Sequence, residues 1–491
     1  MDFGDEKPLL TEPACEATGD RRGHGPRRRW WTLAVVSAAQ LLIVLDGTIV
    51  NIALPSAQRA LGMSDGNRQW AITAYALAFG GLLLIGGRIG GALGHRRAFL
   101  TGLVGFAASS ALGGAAVNAE TLFGARAMQG AFAAVLAPAG LSLLATTFTE
   151  ARERGRAFGV FAAVGAAGSA AGLIAGGLLT EYAGWRWCLY INVPVALLAV
   201  LGAGAVPRDR PMGRRGRFDV AGALLSLSGF AALVYGFNRA EPLGWGSAEV
   251  AALLTGGVLL LAAFAVVEVR ASEPLLPARV LMHRVRAGAF LAITLMFVAM
   301  FGFYLFMSYY LQTVLGYSPV QAGLALIVNA LAALCGAMLI AGKAHGRVPS
   351  AVLVVPGLLA AAAGMLILTR LTADGADVFV RHLLPALVLT GLGLGCVMPP
   401  TAASATEGMC GHDIGAASAA YNAAQQLGAA LGTALLNTLA AGAGATYLAS
   451  HPRASDAAVA VHGYTVALTV ASAILLVAAC LTAPLIAARR E

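Results

Sequence analysis

Apolar segments of about bilayer-crossing length recur fourteen times between Trp30 and Ala487. A hydrocarbon core of ~30 Å needs ~20 apolar residues of helix at 1.5 Å each. Unbroken runs of that length fit helices, which satisfy their own backbone hydrogen bonds in lipid. The chain is therefore expected to be an all-α polytopic membrane protein. Its charged content of 12% is about half the ~25% of an ordinary soluble domain.

The net charge of +9 raises the question of nucleic acid, but the placement of the charge excludes it. With the first segment crossing outward, 25 of the 33 Lys and Arg residues fall in cytoplasmic segments and 7 in external ones. That asymmetry is the positive-inside rule, and it places both termini in the cytoplasm. No nucleic acid partner is expected, and the lipid bilayer is. All but Lys7 and Lys343 of the basic residues are arginine, a bias of GC-rich bacterial coding. None of the six cysteines forms a CxxC pair, so they read as packing residues and not as a metal or disulfide frame.

Charged interruptions group the segments as six, two and six. Residues 1–29 form a polar tail expected to be disordered, and 30–206 a first six-helix bundle. Residues 207–286 hold two basic loops and two inserted transmembrane helices. Residues 287–487 form a second six-helix bundle, and 488–491 a cytoplasmic end. Two six-helix halves with a site near the midplane between them is a transporter plan. The glycine-containing basic loop Gly87–Arg97 has a fainter counterpart at Gly342–Arg347.

Two charges lie inside segments: Asp46 in the first and Arg126 in the fourth. Each costs at least ~2.5–3.5 kcal/mol on insertion scales, which makes it a functional-site candidate. Asp46 lies 13 residues beyond Leu33, roughly 20 Å along a helix running outward. Arg126, five residues past Thr121 on a helix running inward, reaches a similar depth. The two can meet if their helices are neighbours. The sequence alone leaves two readings open, a proton switch at Asp46 tuned by Arg126 and a static pair that joins two helices.

Gly165, Gly168, Gly172 and Gly176 in the fifth segment share one arc of the helix surface at ~100° per residue. Such a row lets a second helix approach closely. It suits either a sliding surface between the halves or ordinary packing. Polar residues within segments offer a cavity lining for a small amphipathic substrate: Asn51, Tyr75, Gln129, Gln312, Asn329, Asn422 and Gln425. One intramembrane acid favours a monovalent cation or a neutral compound over a dication.

These residues carry a resemblance to the fourteen-helix drug:proton antiporters of the major facilitator superfamily, over about residues 31–487. The first segment reads Leu45-Asp46-Gly47-Thr48-Ile49-Val50-Asn51-Ile52-Ala53-Leu54-Pro55, like the family's first-helix motif. Trp70 with Tyr75 fits its second helix, and Leu122, Arg126, Gln129 and Gly130 resemble its fourth-helix motif. Trp185-Arg186-Trp187 followed by Ile191-Asn192-Val193-Pro194 is typical before helix six, and Tyr310-Leu311-Gln312 with Leu315-Gly316-Tyr317-Ser318-Pro319 is typical between helices nine and ten. The resemblance implies two six-helix bundles with two inserted helices, and a proton-coupled exporter of drugs or antibiotics working by alternating access. It assigns proton transfer to Arg126 and gating to Gly87, Arg88, Gly94, Arg96 and Arg97. It implies a monomer in the bacterial inner membrane with no cofactor beyond the proton motive force.

Two positions depart from that pattern. Gly91 stands where the gating motif usually carries an aspartate, so the cytoplasmic latch is weaker or built otherwise. Leu173 stands where the fifth-helix motif usually has proline. The main rival function is a proton-coupled importer of a small solute. An enzyme is not expected, because no catalytic cluster such as HExxH is present. A receptor is not expected either, since loops of about 20–25 residues are too short for a soluble domain.

Overall fold

The computed structural model describes residues 26–63, 70–206, 219–244, 246–271, 276, 280, 283–344, 347–372, 378–409 and 411–486. The tail 1–25, the basic loop 208–217 and the end 488–491 lie outside the described residues, as does the side chain of Asn51. Among the described residues there is no β-strand. The helices of the first part are α1 (Pro26–Leu61), α2 (Trp70–Leu93), α3 (His95–Gly114), α4 (Ala119–Thr147), α5 (Ala151–Tyr182) and α6 (Trp187–Gly202). Then come α7 (Val220–Leu243) and α8 (Ala248–Arg270). The last part holds α9 (Arg284–Val314), α10 (Val320–Ala344), α11 (Ala351–Leu368), α12 (Phe379–Thr406), α13 (Gly411–Ser450) and α14 (Asp456–Ile486).

Eleven of these helices are long and apolar enough to cross a membrane. The other three, α3, α6 and α7, occupy the expected third, sixth and seventh segments. The helix α3 opens on His95-Arg96-Arg97 and carries Ser109 and Ser110, while α6 and the apolar part of α7 are short. The chain turns from α2 into α3 at Gly94, whose φ of 89° is a conformation that a side chain disfavours.

One buried cluster joins α1 to α6 and reaches Ala402, Ala403, Ala405 and Tyr421 at one end of α12 and α13. A second fills the space among α9 to α14, around Phe303, Phe306, Leu358 and Leu475. The pair α7 and α8 lies at the periphery. Gly80 and Gly81 of α2 leave room for Phe230 and Leu227 of α7, and α8 is the least buried of the spanning helices.

The glycine row of α5 packs onto α1. A Cβ at Gly165 would meet Gln40, at Gly168 Leu41, at Gly172 Thr48 and at Gly176 Ile49. The row is therefore packing within the first half and not a sliding surface between halves.

The two halves are joined at the end where α1 begins, termed here the basal end. There Gly87 of α2 sits against the backbone of Gly415 in α13, where a Cβ would come within 2.6 Å of the carbonyl oxygen. Gly159 of α5 approaches the Ala337 carbonyl of α10 to the same 2.6 Å. The hydrogen bonds between the halves among the described residues lie at this end too. Ser142 Oγ of α4 donates to Ser418 Oγ of α13 at 3.2 Å. Arg154 Nη2, in the first turn of α5, donates to the Ala403 carbonyl at 3.1 Å and to Thr406 Oγ1 at 2.5 Å. Those acceptors belong to the last turn of α12, where helix carbonyls lack partners of their own and the helix dipole favours a cation. Arg154 thus bonds the first half to the second in a chain that has Gly91 in place of an acid.

Two outcomes test this packing. Gly130→Ala places a methyl 2.3 Å from the Tyr75 carbonyl and should cost about 1–3 kcal/mol by overpacking. Gly165→Ala meets nothing closer than 3.5 Å and should leave the thermal midpoint in detergent unchanged or raised. For the latch, Arg154→Ala should speed maleimide labelling of a Ser418→Cys protein from the basal side. The expected factor is roughly tenfold, the weight of a hydrogen bond to a charged group.

Candidate functional site

The side chains that the sequence singles out as buried charges meet. Asp46 is 0% exposed and Arg126 is 1% exposed, and Arg126 Nη1 lies 2.5 Å from Asp46 Oδ2. The guanidinium is held on two further sides. Its Nε donates to the Ala71 carbonyl of α2 at 2.9 Å, and Nη1 also donates to Gln129 Oε1 at 2.9 Å. Its Cζ sits 4.5 Å from the centre of the Tyr75 ring, within cation–π range.

The other oxygen of Asp46 takes two neutral donors. Gln129 Nε2 donates to Oδ1 at 3.1 Å and Asn192 Nδ2 at 2.7 Å. Gln129 Nε2 also donates to Ser110 Oγ of α3 at 2.6 Å. Five helices thus converge on one carboxylate: α1 carries it, α4 supplies Arg126 and Gln129, α2 Tyr75 and Ala71, α3 Ser110, and α6 Asn192. The Arg126–Gln129 spacing puts both on one face of α4.

Local sequence explains how Asn192 arrives there. The run Trp185-Arg186-Trp187 turns the chain between α5 and α6. Arg186 Nη2 donates to the Ala116 carbonyl at the end of α3 at 3.1 Å, and its guanidinium lies 4.6 Å from the Trp185 ring. Trp185 is buried, whereas Trp187 is exposed. This clamp fixes the start of α6 against α3, so Asn192 and Ser110 face Asp46 together.

The expected cavity residues separate. Tyr75 and Gln129 belong to the Asp46 network. Asn329 is fully buried inside the second half, bonded to Tyr304 Oη, the Leu387 carbonyl and Thr390 Oγ1. Gln312 is exposed and donates to Ser308 Oγ one turn back. It lies in the π-helical stretch Tyr310–Val314. That wider winding shifts the facing of the residues that follow. Asn422 and Gln425 are half-buried on α13, and Asn422 Nδ2 bonds the Ser418 carbonyl of its own helix.

Of the expected gating residues, Gly87 lies in the basal contact. Gly94 makes the turn. Arg96 Nη2 donates to the Ala203 carbonyl within the first half at 3.2 Å, Arg97 is exposed and Arg88 is half-buried. The sequence reading passed over Arg154, Ser110 and Asn192 as site residues. Arg154 looked like a loop charge. Asn192 carried the one usable signal, an amide in an apolar segment two residues before a proline.

A charged, hydrogen-bonded cluster enclosed by apolar helices, in one of two helical bundles that meet at the basal end, defines a polytopic membrane transporter. Comparison with known proteins gives the family. The profile of the Major Facilitator Superfamily matches residues 36–433, and the chain belongs to that superfamily. It is 56% identical over 466 residues to the puromycin resistance protein pur8 of Streptomyces alboniger, across 94% of this chain and 92% of the relative. It is 39% identical over 411 residues to the cephamycin export protein CmcT of Amycolatopsis lactamdurans, across 83% and 84%. Among solved structures, the human organic anion transporter MFSD10 superposes with a TM-score of 0.63 at 15% identity, covering 94% of this chain and 100% of that one. That last likeness speaks for the fold alone.

A thermodynamic cycle tests the ion pair. Asp46→Asn or Arg126→Gln alone leaves one charge buried without its counter-ion and should cost about 3–5 kcal/mol. The double variant Asp46→Asn/Arg126→Gln should recover much of that loss. Thermal unfolding of the purified proteins in one detergent reads all four corners.

Proposed function

We propose that this chain is a proton-coupled exporter of an antibiotic or other small amphipathic compound. It is a multi-pass protein of the inner membrane that works as a monomer by alternating access, with no cofactor beyond the proton motive force. The three helices that are shorter or less apolar than the rest also cross, giving fourteen spans with both termini cytoplasmic. In this orientation the basal seal faces the cytoplasm, and the first and second six-helix parts are the bundles that rock.

The observation that carries the reading is the Asp46 network. A carboxylate buried at 0% exposure beside one guanidinium and two neutral amides is a group whose charge state depends on whether its partners stay in place. Protonation neutralises Asp46, weakens its hold on Arg126 and changes the free energy of parting α1 from α4. A ligand shifts a two-state equilibrium only by its differential affinity for the two states, and the proton acts here as such a ligand. Export fits relatives named for puromycin resistance and cephamycin export. Puromycin is accordingly the first substrate to test.

The experiment measures puromycin resistance and the efflux of puromycin and ethidium from energised cells. Wild type should pump one of the two compounds, and an uncoupler should stop it. Asp46→Asn should abolish efflux at equal membrane expression. Efflux that survives both the uncoupler and Asp46→Asn would leave Asp46 a purely structural partner of Arg126.

A further inference from the structure

The network around Asp46 contains one amide with a spare end. Asn192 is 1% exposed, its Nδ2 donates to Asp46 Oδ1 at 2.7 Å and to Ser110 Oγ at 3.4 Å, and its Oδ1 has no hydrogen-bond partner among the described residues. A buried acceptor left without a donor costs ~1–3 kcal/mol in desolvation, so its persistence calls for a reason.

The second amide in the cluster has no such freedom. Gln129 Oε1 accepts from Arg126, and Gln129 Nε2 donates both to Asp46 and to Ser110. Turning that amide over would break bonds at both ends. Asn192 loses only donors on turning, and the oxygen it brings round is one that nothing else uses.

An ionised carboxylate accepts hydrogen bonds only, whereas a protonated one also donates. With Asp46 ionised, the amino group of Asn192 is the correct partner at Oδ1. When a proton from water adds to Oδ1, the carboxylate becomes a neutral carboxyl whose O–H needs an acceptor. The other groups facing this oxygen are Gln129 Nε2 and, across the carboxylate, Arg126. Tyr75 lies under the guanidinium, and α3 contributes the neutral Ser110. We propose that Asn192 is a positioning residue for proton coupling, its side-chain amide rotating by about half a turn to accept the Asp46 proton. The amide then serves both charge states, as a donor to the ionised form and an acceptor for the neutral form. This inference rests on the reading of Asp46 as the proton carrier.

The test is infrared difference spectroscopy of the full chain in liposomes as pH is lowered, run beside proton-driven efflux. In wild type, protonated Asp46 should give a carboxyl C=O band at the position of a hydrogen-bonded donor, and Asp46→Asn should remove it. Asn192→Leu should move that band to the position of a free carboxyl and lower uncoupler-sensitive efflux roughly tenfold to a hundredfold, the weight of a hydrogen bond to a charged group. Asn192→Ser, whose hydroxyl both donates and accepts, should keep the hydrogen-bonded band and most of the efflux. An unmoved band in Asn192→Leu would overturn the role of Asn192 while leaving Asp46 as carrier. A wild type with no Asp46-dependent band across the pH range of transport would overturn both readings. If Asn192→Leu does not accumulate, wild type grown on isotope-labelled asparagine should show an amide C=O shift on proton uptake that Asn192→Ser lacks. Absence of that shift in wild type would equally overturn the role of Asn192.

Discussion

The contact between Asp46 and Arg126 sets terms that the rest of the first half has to meet. Two opposite charges withdrawn from water each carry a desolvation penalty of several kcal/mol, and their attraction offsets it only with good geometry and further hydrogen bonds. The neighbours supply those bonds. Ala71, Gln129 and Asp46 together occupy Nε and Nη1 of the guanidinium, and Gln129 with Asn192 completes the carboxylate. Because the donors come from separate helices, the cluster also fixes how α1, α2, α3, α4 and α6 stand relative to one another. A charge state at one atom is thereby tied to the arrangement of a bundle.

Close packing makes the arrangement stiff enough for that tie to matter. In lipid the hydrophobic effect gives no drive for one apolar helix to join another, so association rests on van der Waals contact and interhelical hydrogen bonds. Small residues provide the contact at the places that count. Gly130, one residue beyond Gln129, lies against the Tyr75 carbonyl, and Gly86 lies against the Ala134 carbonyl. These seats clamp α2 to α4 from the turn next to the ion pair toward the basal end. Between the halves, among the described residues, the same device is tightest at the basal end, at Gly87 with Gly415 and at Gly159 with Ala337.

How far the sequence alone exposed this design follows the energetic cost of each residue in lipid. Asp46 and Arg126 stood out because an intramembrane charge is expensive and therefore rare, and helical rise was enough to put them at one depth. Ser110 has no such mark, since a neutral hydroxyl in a helix is common and usually bonds its own surroundings, and Asn192 has only its place before a proline. The glycine row of α5 was visible as a row, but its partner was not. Spacing identifies a face and leaves open which helix covers it. The setting of Gln312 has no local sign, because the 3.6-residue period holds only for an α-helix and Tyr310–Val314 is wound more widely. Arg154 has no local mark that sets it apart from the other inner-loop charges. Its importance comes from the carbonyl end of α12, a partner some 250 residues away that no local pattern reveals.

The helix α5 links the ion pair to the seal. Its first turn holds Arg154, bonded to the end of α12 in the second half. Its glycine face grips α1 at Thr48 and Ile49, two and three residues beyond Asp46. On the proposed reading, a displacement of α1 that follows a change of charge on Asp46 reaches the basal end through α5. There the Arg154 guanidinium rests on the Ala403 carbonyl and the Thr406 hydroxyl. Bonds of that kind, worth ~1.5–3 kcal/mol when one group is charged, are comparable to the few kcal/mol that separate the conformations of a two-state protein. The apolar cluster that joins α1 to α6 with Ala402, Ala403, Ala405 and Tyr421 lies at the same end, so these polar bonds act on top of a packed interface and add direction to it.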